Sequence, residues 1–428
     1  MRRFRLYRML RAAWVIATVA LGYWWLQKRR SSTPEMWARA HARTGRKILG
    51  LATGLNGAFV KLGQILGSRA DVLPEPLVAP LRQLHDRVPA RPLAKLRRHA
   101  ERELGRPLGE VFAEIDEQPI AAASLAQVHR ARLANGDDVV VKIQYPEARR
   151  LFPIDLGSLR MAARVARWVN RGLDLRPLVD ELAEFVCLEL DFAREARSTE
   201  RVRANLANDP TVVVPRVHAD LSTDRLLVLE LLDGTPLTRL DALRERGVDL
   251  RDVAQRVARL YATLIFDHGF FHGDPHPGNL FVLADGKRLA LLDFGLAKEL
   301  PPGFAASAAA MMAGAMRGDL PGALAAARAI GFVVADERAP QLLGLVRALL
   351  GDYRDTGRLA QELRRGKRGE LEIPSHFTLI ARVMVILSGV SHTLVPGERV
   401  IGGALLAALA PHLAALREPP TEPVTQVM

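Results

Sequence analysis

The sequence is poor in cysteine, and acidic residues are scarce at one end of it. Its 428 residues include a single cysteine, Cys187, which excludes an internal disulfide and a zinc site built on cysteine pairs. This composition suits a reducing compartment. Residues 1–50 hold twelve of the 60 lysines and arginines but only one acid, Glu35. Because the net charge of +13 is concentrated at this end and no nucleic-acid module is visible elsewhere, we expect no nucleic-acid partner.

The N-terminal segment falls short of an ideal membrane span. Five arginines precede an uncharged run from Ala12 to Gln27, and three basic residues follow it. The run is shorter than the ~20 residues of a perpendicular span, although snorkelling arginines can extend it. Tryptophan and tyrosine near its ends suit a lipid–water interface, and small residues of a signal-peptide cleavage site are lacking. We predict a membrane anchor over residues 1–30, with a helix lying in the interface as the alternative.

The rest of the chain changes from a helical pattern to a mixed one and back. Residues 31–115 predict a helical extension that ends in an amphipathic helix over 92–115. Residues 116–234 predict a small sheet, with an Asn-Gly hairpin turn, and inserted helices. Residues 235–417 are predicted to be mainly helical, and the tail 418–428 to be disordered. This order favours a two-lobed α+β protein.

An apolar run near the C-terminus is a second candidate for membrane contact. It covers residues 400–416 and contains Pro411 and His412. These two residues interrupt the apolar run, so we predict a buried or interfacial helix here rather than a membrane helix.

The segment His-Gly-Asp-Pro-His-Pro-Gly-Asn at 272–279 allows three interpretations. Two histidines four residues apart would share a helical face, but the prolines and glycine prevent a regular helix, which argues against a zinc motif of the HExxH type. A simple turn is the second interpretation. The third is a phosphotransferase catalytic loop, in which Asp274 orients or deprotonates the acceptor and Asn279 holds magnesium.

A second motif favours the phosphotransferase interpretation. Fourteen residues after Asn279, an apolar strand ends in Asp293-Phe294-Gly295. A carboxylate at a strand end just after a catalytic loop supplies a further magnesium ligand in phosphate chemistry. Each motif alone occurs often by chance, but the two motifs rarely occur together in this order by chance.

The remaining parts of such a site can be assigned upstream. Lys142 lies in an apolar strand, where it can bind the α- and β-phosphates of a nucleotide. Glu195 is its predicted partner, because it follows Asp191 by four residues and so should share its helical face. The backbone from Glu230 to Leu232, in the strand predicted over 224–234, is expected to bind adenine. The predicted cofactors are ATP or ADP and Mg²⁺.

With these residues in place, the sequence resembles the UbiB/AarF family of atypical protein-kinase-like proteins. The motif match covers about residues 45–300, and the lysine-pairing glutamate of the family falls on Glu195. Further matches are Lys61 and Gln64 of its KxGQ motif, Ala121, Ala122, Ala123 and Ser124 of its alanine-rich nucleotide loop, and Glu189 and Asp191 of its ExD motif.

The resemblance implies a two-lobed protein-kinase-like fold with an N-terminal helical extension and a helix-rich C-lobe. It also implies magnesium-nucleotide binding, ATPase activity with weak protein phosphorylation, and support of isoprenoid quinone (ubiquinone-type) biosynthesis. The expected location is the inner or cytoplasmic membrane, with the kinase-like domain on the cytosolic side. The expected partners are a membrane lipid or quinone intermediate and quinone-biosynthesis enzymes, and a homodimer is left open.

The resemblance gives particular roles to the KxGQ motif and the alanine loop. Lys61 and Gln64 would reach toward the phosphates and interact with the ExD carboxylates, while their helix covers the surface where peptides dock on kinases. Alanine in place of glycine narrows the conformations of the phosphate-binding loop and should change nucleotide preference. No Ala-Pro-Glu signature follows Gly295, which leaves little room for a peptide-docking activation segment.

Two other classes of function stay open at this point. One is a small-molecule kinase of the choline or aminoglycoside type, since those proteins carry a similar His-Gly-Asp loop. The other is a nucleotide-gated, non-catalytic scaffold for membrane lipid enzymes. A scaffold can keep every ligand residue, so the sequence does not separate it from an enzyme.

Overall fold

A computed structural model describes residues 2–29, 31–67, 73–84, 90–169, 174–338, 340–341, 371–398 and 400–416. The chain divides into two compact units. The first unit comprises Met1–Arg197 and Arg216–Leu231, and the second comprises Ser198–Pro215 and Leu232–Met428. The tail over 418–428, predicted to be disordered, lies outside the described residues.

The helices described in the first unit lie mostly before its main hairpin and in the insert that follows it. They are α1 (Arg2–Lys28), α2 (Pro34–Leu55), α3 (Ala58–Gly67), α4 (Glu75–Leu81), α5 (Leu93–Leu104), α6 (Leu108–Val111), α7 (Ala148–Val169), α8 (Arg176–Glu189) and α9 (Phe192–Asn205), whose last turns belong to the second unit. The Thr33 side chain caps α2 by accepting a hydrogen bond from the Met36 amide. Asn56 and Gly57 both have positive φ, at 56° and 62°, and therefore separate α2 from α3.

The prediction of one amphipathic helix over 92–115 is wrong. The first helix, α5, ends at Leu104, because Gly105 adopts a left-handed conformation with φ of 72° that caps it. Pro107 then starts the short helix α6. The last four residues of the predicted helix, Phe112–Ile115, form a strand instead.

The first unit contains a five-stranded antiparallel sheet. Its strands are β1 (Phe112–Ile115), β2 (Ala121–Ala122), β3 (Ala126–Leu133), β4 (Asp138–Gln144) and β6 (Leu226–Glu230), in the order β1-β3-β4-β6 with β2 paired to β3. The predicted hairpin is confirmed, with Gly136 at φ of 92° in the turn between β3 and β4. Lys142 lies opposite Val128 on β3 and Leu227 on β6, in the interior of the sheet.

The second unit combines helices with small sheets. Its described helices are α10 (Leu240–Glu245), α11 (Leu250–Phe266), α12 (Phe304–Arg317), α13 (Leu320–Ala329), α14 (Ser375–Leu394) and α15 (Val400–Ala415). Its described strands are β5 (Val212–Val213), β7 (Gly234–Pro236), β8 (Phe270–Phe271), β9 (Leu280–Leu283), β10 (Leu289–Leu291), β11 (Lys298–Glu299), β12 (Val333–Val334) and β13 (Leu371–Glu372). They form the sheets β5-β10-β9-β7, β8-β11 and β12-β13, and the predicted hairpin β9–β10 is confirmed.

Helix α11 lies in the main core of the second unit. Asp249 caps its first turn by accepting hydrogen bonds from the Arg251 and Asp252 amides. Tyr261 on this helix is fully buried, in the same core as Phe271 and Phe294. Phe271 directly precedes the motif at 272–279, and Phe294 is the central residue of the Asp-Phe-Gly motif, so both predicted catalytic motifs are anchored in this core.

Two described helices are long and apolar enough to cross a membrane, Leu6–Lys28 and Ser375–Leu394. The second contributes Val383 and Leu387 to the core of its unit, and 44% of its most apolar stretch is buried. It is therefore suited to a core role as well as to a membrane.

The apolar run near the C-terminus forms a single helix, α15, which continues through Pro411 near its end. Ile401, Leu405 and Leu409 are buried at helical spacing, so α15 packs one face against the unit, as predicted for a buried helix.

Candidate active site

The first unit brings Lys142 and Glu195 together. The Lys142 ammonium donates hydrogen bonds to both carboxylate oxygens of Glu195, at 2.7 and 2.9 Å. The Glu195 side chain is 2% exposed and the Lys142 side chain 19% exposed. The ammonium also lies 5.1 Å from the centre of the Phe192 ring. A bidentate, largely buried pair fixes the lysine on the sheet, in the arrangement by which kinases position the phosphate-binding lysine.

Asp191 orients this glutamate in a way that the sequence argument missed. It precedes α9 rather than lying in it, so the prediction that Asp191 and Glu195 share a helical face is wrong. Its carboxylate accepts a hydrogen bond from the Arg194 amide at 2.9 Å, and its carbonyl accepts one from the Glu195 amide at 3.1 Å. Asp191 is thus the cap of the helix whose first turn carries Glu195.

The KxGQ segment lies on α3 and contacts the ExD motif. The Lys61 ammonium forms an ion pair with the carboxylate of Glu189, the last residue of α8. Gln64 donates a hydrogen bond to the Leu84 carbonyl at 3.0 Å. Between them, a Cβ atom on Gly63 would lie 2.2 Å from Cδ1 of Leu84, so the glycine permits this close packing. The structure therefore links Lys61 to the ExD motif, as the resemblance implied.

The alanine-rich loop is a tight hairpin at the edge of the sheet. Ala121 pairs with Val128, and the Ala123 amide donates to the Ala126 carbonyl at 2.8 Å. Ser124 is 6% exposed, and Ala121 and Ala123 are exposed. The Ala123 amide is thus bonded to the start of β3, whereas a glycine-rich loop directs its amides at phosphates.

The predicted adenine-binding segment also has occupied donors. The Glu230 amide donates to the Arg216 carbonyl at 2.9 Å, and the Leu231 amide donates to the Asp138 carbonyl at 3.1 Å. A base placed here would thus be bound by the carbonyl groups or by the Leu232 amide.

In the second unit, His272 anchors the catalytic-loop motif to the Asp-Phe-Gly motif. The ring is fully buried, and Nε2 donates to the carbonyl oxygens of Leu292 and Asp293 at 3.0 and 2.6 Å. Because a carbonyl only accepts, the proton is on Nε2 and Nδ1 is an acceptor. Nδ1 receives the Tyr261 hydroxyl at 2.9 Å. With both nitrogens engaged, His272 is a positioning residue and not a metal ligand.

Tyr261 is the supporting residue that the sequence argument missed. Burial raises its pKa well above the ordinary value, and the negative charge of Asp274 adds to this. The hydroxyl therefore stays protonated and donates to His272. In the sequence, Tyr261 is one apolar position on a helix, so only its tertiary partner reveals the role.

Asp274 and Asn279 lie close together in the loop between β8 and β9. The Asn279 Nδ2 donates to the carbonyl of Asp274 at 3.3 Å and lies 3.5 Å from its carboxylate. This orientation turns the amide nitrogen toward Asp274, so the amide oxygen is on the other side of the group. Amide and carboxylate oxygens are the atoms that Mg²⁺ prefers.

Asp293 follows β10 in a left-handed conformation, with φ of 63°. Such a conformation is costly for residues other than glycine and is found most often at functional sites. Its carboxylate accepts a hydrogen bond from the Gly295 amide at 3.3 Å. The Leu292 amide donates to the Asn279 carbonyl at 2.9 Å, which extends the β9–β10 pairing. Asn279 and Asp293 therefore leave the hairpin at the same end.

A glycine allows the two motifs to approach each other. A Cβ atom on Gly273 would lie 2.2 Å from the Leu296 carbonyl oxygen, so no larger residue fits without a backbone shift. Among the described residues, no group of three or more His, Cys, Asp and Glu side chains could hold a metal ion. The donor set of Asn279 and Asp293 fits a magnesium ion that also takes oxygens from phosphates and water.

The comparisons with known proteins agree with this arrangement. The ABC1 atypical kinase-like domain matches residues 83–326. The chain is 35% identical over 316 residues to the probable protein kinase UbiB of Marinobacter nauticus, and 40% identical over 255 residues to the chloroplastic protein ACTIVITY OF BC1 COMPLEX KINASE 7 of Arabidopsis thaliana. These matches cover 70% and 58% of this chain, and 57% and 36% of those proteins.

A solved structure is similar over most of the chain. It is the complex of Rv3197 with erythromycin from Mycobacterium tuberculosis, at a TM-score of 0.57 and 25% identity, and the match covers 90% of this chain and 99% of that one. The chain spans about half the length of the curated relatives that it matches. The predicted α+β kinase-like fold with a helical N-terminal extension is confirmed, and the chain belongs to the UbiB/AarF family of atypical kinase-like proteins.

Proposed function

We propose that the protein is a membrane-associated atypical kinase or ATPase that binds a magnesium-nucleotide. Lys142, held by Glu195, would contact the α- and β-phosphates. Asn279 and Asp293 would hold Mg²⁺, which neutralises phosphate charge when bound. Asp274 would orient the attacking hydroxyl or water, or accept its proton. Lys61 with Glu189, Gln64, Asp191 and the loop Ala121, Ala122, Ala123 and Ser124 would border the nucleotide.

The Lys142–Glu195 pair is the observation that carries this proposal. A buried ion pair adds little net stability, because desolvation of both charges offsets much of their attraction. A buried lysine–glutamate pair on a central strand therefore indicates a functional role. The pair leaves the Lys142 side chain 19% exposed, so part of that side chain is accessible to solvent. Its partner Glu195 comes from a capped helix turn, which makes the arrangement rigid.

The biological role is proposed by analogy with the relatives. Several of them are named UbiB, and the resemblance links this family to ubiquinone-type biosynthesis. We propose that nucleotide turnover supports isoprenoid quinone biosynthesis at the inner or cytoplasmic membrane, with the kinase-like domain on the cytosolic side. The partners would be a membrane lipid or quinone intermediate and enzymes of that pathway.

The direct test is phosphate release from ATP by the full chain. We expect slow, Mg²⁺-dependent turnover, lowered about a hundredfold or more by Asp274→Asn, which should still bind nucleotide. Deletion of the gene should lower cellular quinone, measured by mass spectrometry, and the wild-type gene should restore it. If Asp274→Asn restores quinone as well as wild type does, the scaffold function replaces the enzyme. An absence of Mg²⁺-dependent turnover and of nucleotide binding would contradict both.

A small-molecule function is the second candidate. One observation favours it: the similar solved structure is a complex with erythromycin. Rapid transfer of labelled phosphate from ATP to a soluble alcohol would support a kinase of the choline or aminoglycoside type. If labelled phosphate appears only as the inorganic ion, this candidate is excluded.

A further inference from the structure

Helix α1 is packed along α2 and does not stand apart from the first unit. The Arg8 guanidinium donates a hydrogen bond to the Leu55 carbonyl at one end of the pair. The Tyr23 hydroxyl and the His41 Nδ1 lie 2.7 Å apart at the other end. Because residue numbers rise along α1 as they fall along α2, the two helices are antiparallel over about four turns of α1.

A buried ion pair fixes α1 to a third helix. Arg8 and Asp155 of α7 form two hydrogen bonds, with Nε of Arg8 3.0 Å from Oδ1, and both side chains are 2% exposed. Separation of this pair would leave one buried charge without a partner, which is strongly unfavourable. A perpendicular membrane span of α1 would require that separation, so this packing favours a helix that remains on the surface of the unit.

The opposite face of α1 is apolar and exposed. Buried positions recur at Arg8, Ala12, Val15 and Leu26, which lie on one stripe of the helix. The other stripe exposes large side chains to between 52% and 64%: Leu6, Tyr7, Leu10, Trp14, Leu21 and Trp25. Folded soluble proteins rarely expose a continuous apolar strip of this kind, so a partner is expected to cover it.

A cationic groove lies beside this strip, between α1 and α2. It has a volume of about 390 Å³, and Val19, Trp25 and Leu26 contribute apolar lining. Its cations are Arg29 and three α2 residues at four-residue spacing, which share one helical face: Arg39, Arg43 and Lys47. Arg39 pairs with Glu35, but in the described part of the chain no carboxylate pairs with Arg43 or Lys47.

We propose that α1 lies in the surface of a membrane and that the groove between α1 and α2 binds the headgroup of an anionic phospholipid. The inference rests on the membrane association proposed above and specifies how it occurs. The strip enters the boundary between headgroups and acyl chains, where tryptophan and tyrosine are favoured. The groove cations then face the phosphate layer, and its apolar wall follows the acyl chain. Basic side chains close to a membrane surface attract anionic lipid headgroups electrostatically.

This occupant explains features that other partners leave unexplained. A nucleic acid would use the cations but would leave the apolar strip in water. A second copy of the chain would cover the strip but would bring a second set of the same cations, which repel. The Lys28 ammonium lies 4.6 Å from the Trp24 ring, a cation and an aromatic ring of the kind that occur together at membrane surfaces.

Flotation of the full chain with vesicles tests the groove. The probes are phosphatidylcholine vesicles with and without phosphatidylglycerol. Replacement of Arg43→Gln together with Lys47→Gln should weaken binding to the anionic vesicles about twenty- to thirtyfold, and should change binding to neutral vesicles little. A matched control is Lys95→Gln with Arg98→Gln, which removes the same two charges from exposed positions on α5. The control should bind close to wild type.

Several results would overturn the proposal. If both double variants lose affinity equally, bulk charge and not the groove is responsible. If neither loses affinity, the groove does not bind lipid. If the protein is a stable dimer without lipid and binds both vesicle types alike, the strip is a protein interface. Thermal shift with Mg²⁺ and ADP should be unchanged in both double variants, so failure here is distinguishable from failure of the nucleotide proposal.

Fluorescence quenching of a tryptophan near the middle of the uncharged run of α1 distinguishes a surface helix from a span. In a variant with the five tryptophans replaced by phenylalanine and with Leu21→Trp, the introduced tryptophan is the sole reporter and lies on the exposed strip. A surface helix places it near the headgroups, so a spin label near the headgroup should quench it more than one at the end of the acyl chain. A spanning α1 would place this residue near the bilayer centre, and stronger quenching by the deep label would overturn the proposal.

Discussion

The two units hold their functional charges in opposite ways. In the first unit, Lys142 with Glu195 and Arg8 with Asp155 are ion pairs with at least one nearly inaccessible partner. In the second unit, Asp293 is exposed and Asp274 is half-buried, and the hydrogen bonds described above reach them from neutral amides. The ion pairs of the first unit are thus enclosed by protein, whereas the two carboxylates of the second unit are at least partly open to solvent.

This difference implies that the buried ion pairs contribute mainly to the stability of the fold, whereas the exposed carboxylate contributes mainly to ligand binding. A buried pair contributes to a fixed geometry, and removal of one partner leaves a charge in a medium that solvates it poorly. An exposed carboxylate costs little to replace, because water compensates for it. We therefore expect substitutions in the first unit to affect folding and substitutions at Asp293 to affect ligand binding alone.

Lys142→Ala should give the largest loss of stability. It removes the ammonium that neutralises the buried Glu195 carboxylate, at a cost of about 3–5 kcal/mol in the first unit. Hydrogen exchange of the β3 and β4 amides, followed by mass spectrometry, should become faster, while exchange of the β9 and β10 amides should not. The double variant Lys142→Met with Glu195→Leu, which removes both charges, should recover much of the protection. If hydrogen exchange became faster by the same factor in both units, the proposed difference between the units would be wrong.

Arg8→Met should destabilise the first unit in a pH-dependent way. Burial raises the pKa of Asp155 to about 6 even with Arg8 present, and loss of the guanidinium should raise it further. A folded state with the higher pKa binds protons that the unfolded chain does not, so the free energy of unfolding should rise as pH falls from 8 toward 5. Denaturation in urea at both pH values measures this. A variant whose deficit is the same at both pH values would contradict the buried pair.

His272→Phe should loosen the second unit. It leaves the Tyr261 hydroxyl without its acceptor and removes a donor from the Leu292 and Asp293 carbonyls, at about 1–3 kcal/mol for a buried group. Tyr261→Phe, which removes only the hydroxyl, should cost about 1 kcal/mol. Exchange of the β9 and β10 amides should follow this order. If Tyr261→Phe is the more harmful change, the bonds from His272 to the Leu292 and Asp293 carbonyls do not contribute as expected.

Asp293→Asn should have the smallest effect on stability, within about 0.5 kcal/mol. The side chain is exposed, and asparagine tolerates a φ of 63° better than most residues. Thermal unfolding without ligand should match that of wild type. A large loss would mean that Asp293 belongs to the scaffold rather than to a binding site.

The sequence predicted those parts of the site that local patterns determine. Alternation and an Asn-Gly turn predicted the hairpin that carries Lys142, and the prolines excluded a helical metal motif at His272. The alanine-rich loop was recognised only by resemblance. The prediction of one helix over 92–115 failed at Gly105. The amphipathic pattern continues across this glycine, but the glycine caps the helix and ends it.

Contacts between distant residues could not be predicted in this way. Arg8 and Asp155 are 147 positions apart, so nothing in the N-terminal segment shows that one of its arginines is buried. The partner of Tyr261 and the capping role of Asp191 depend on where the chain turns. Composition alone therefore favoured a membrane span for α1, whereas its packing favours a surface helix.

The most direct test of the central claim is calorimetric titration of ADP into the full chain, with and without Mg²⁺. We expect binding by wild type that strengthens when Mg²⁺ is added, and no Mg²⁺-dependent gain for Asp293→Asn, although that variant folds normally. The account would be contradicted if the wild-type affinity for ADP were the same with and without Mg²⁺. It would also be contradicted if Mg²⁺ raised the ADP affinity of Asp293→Asn as much as it raises that of wild type.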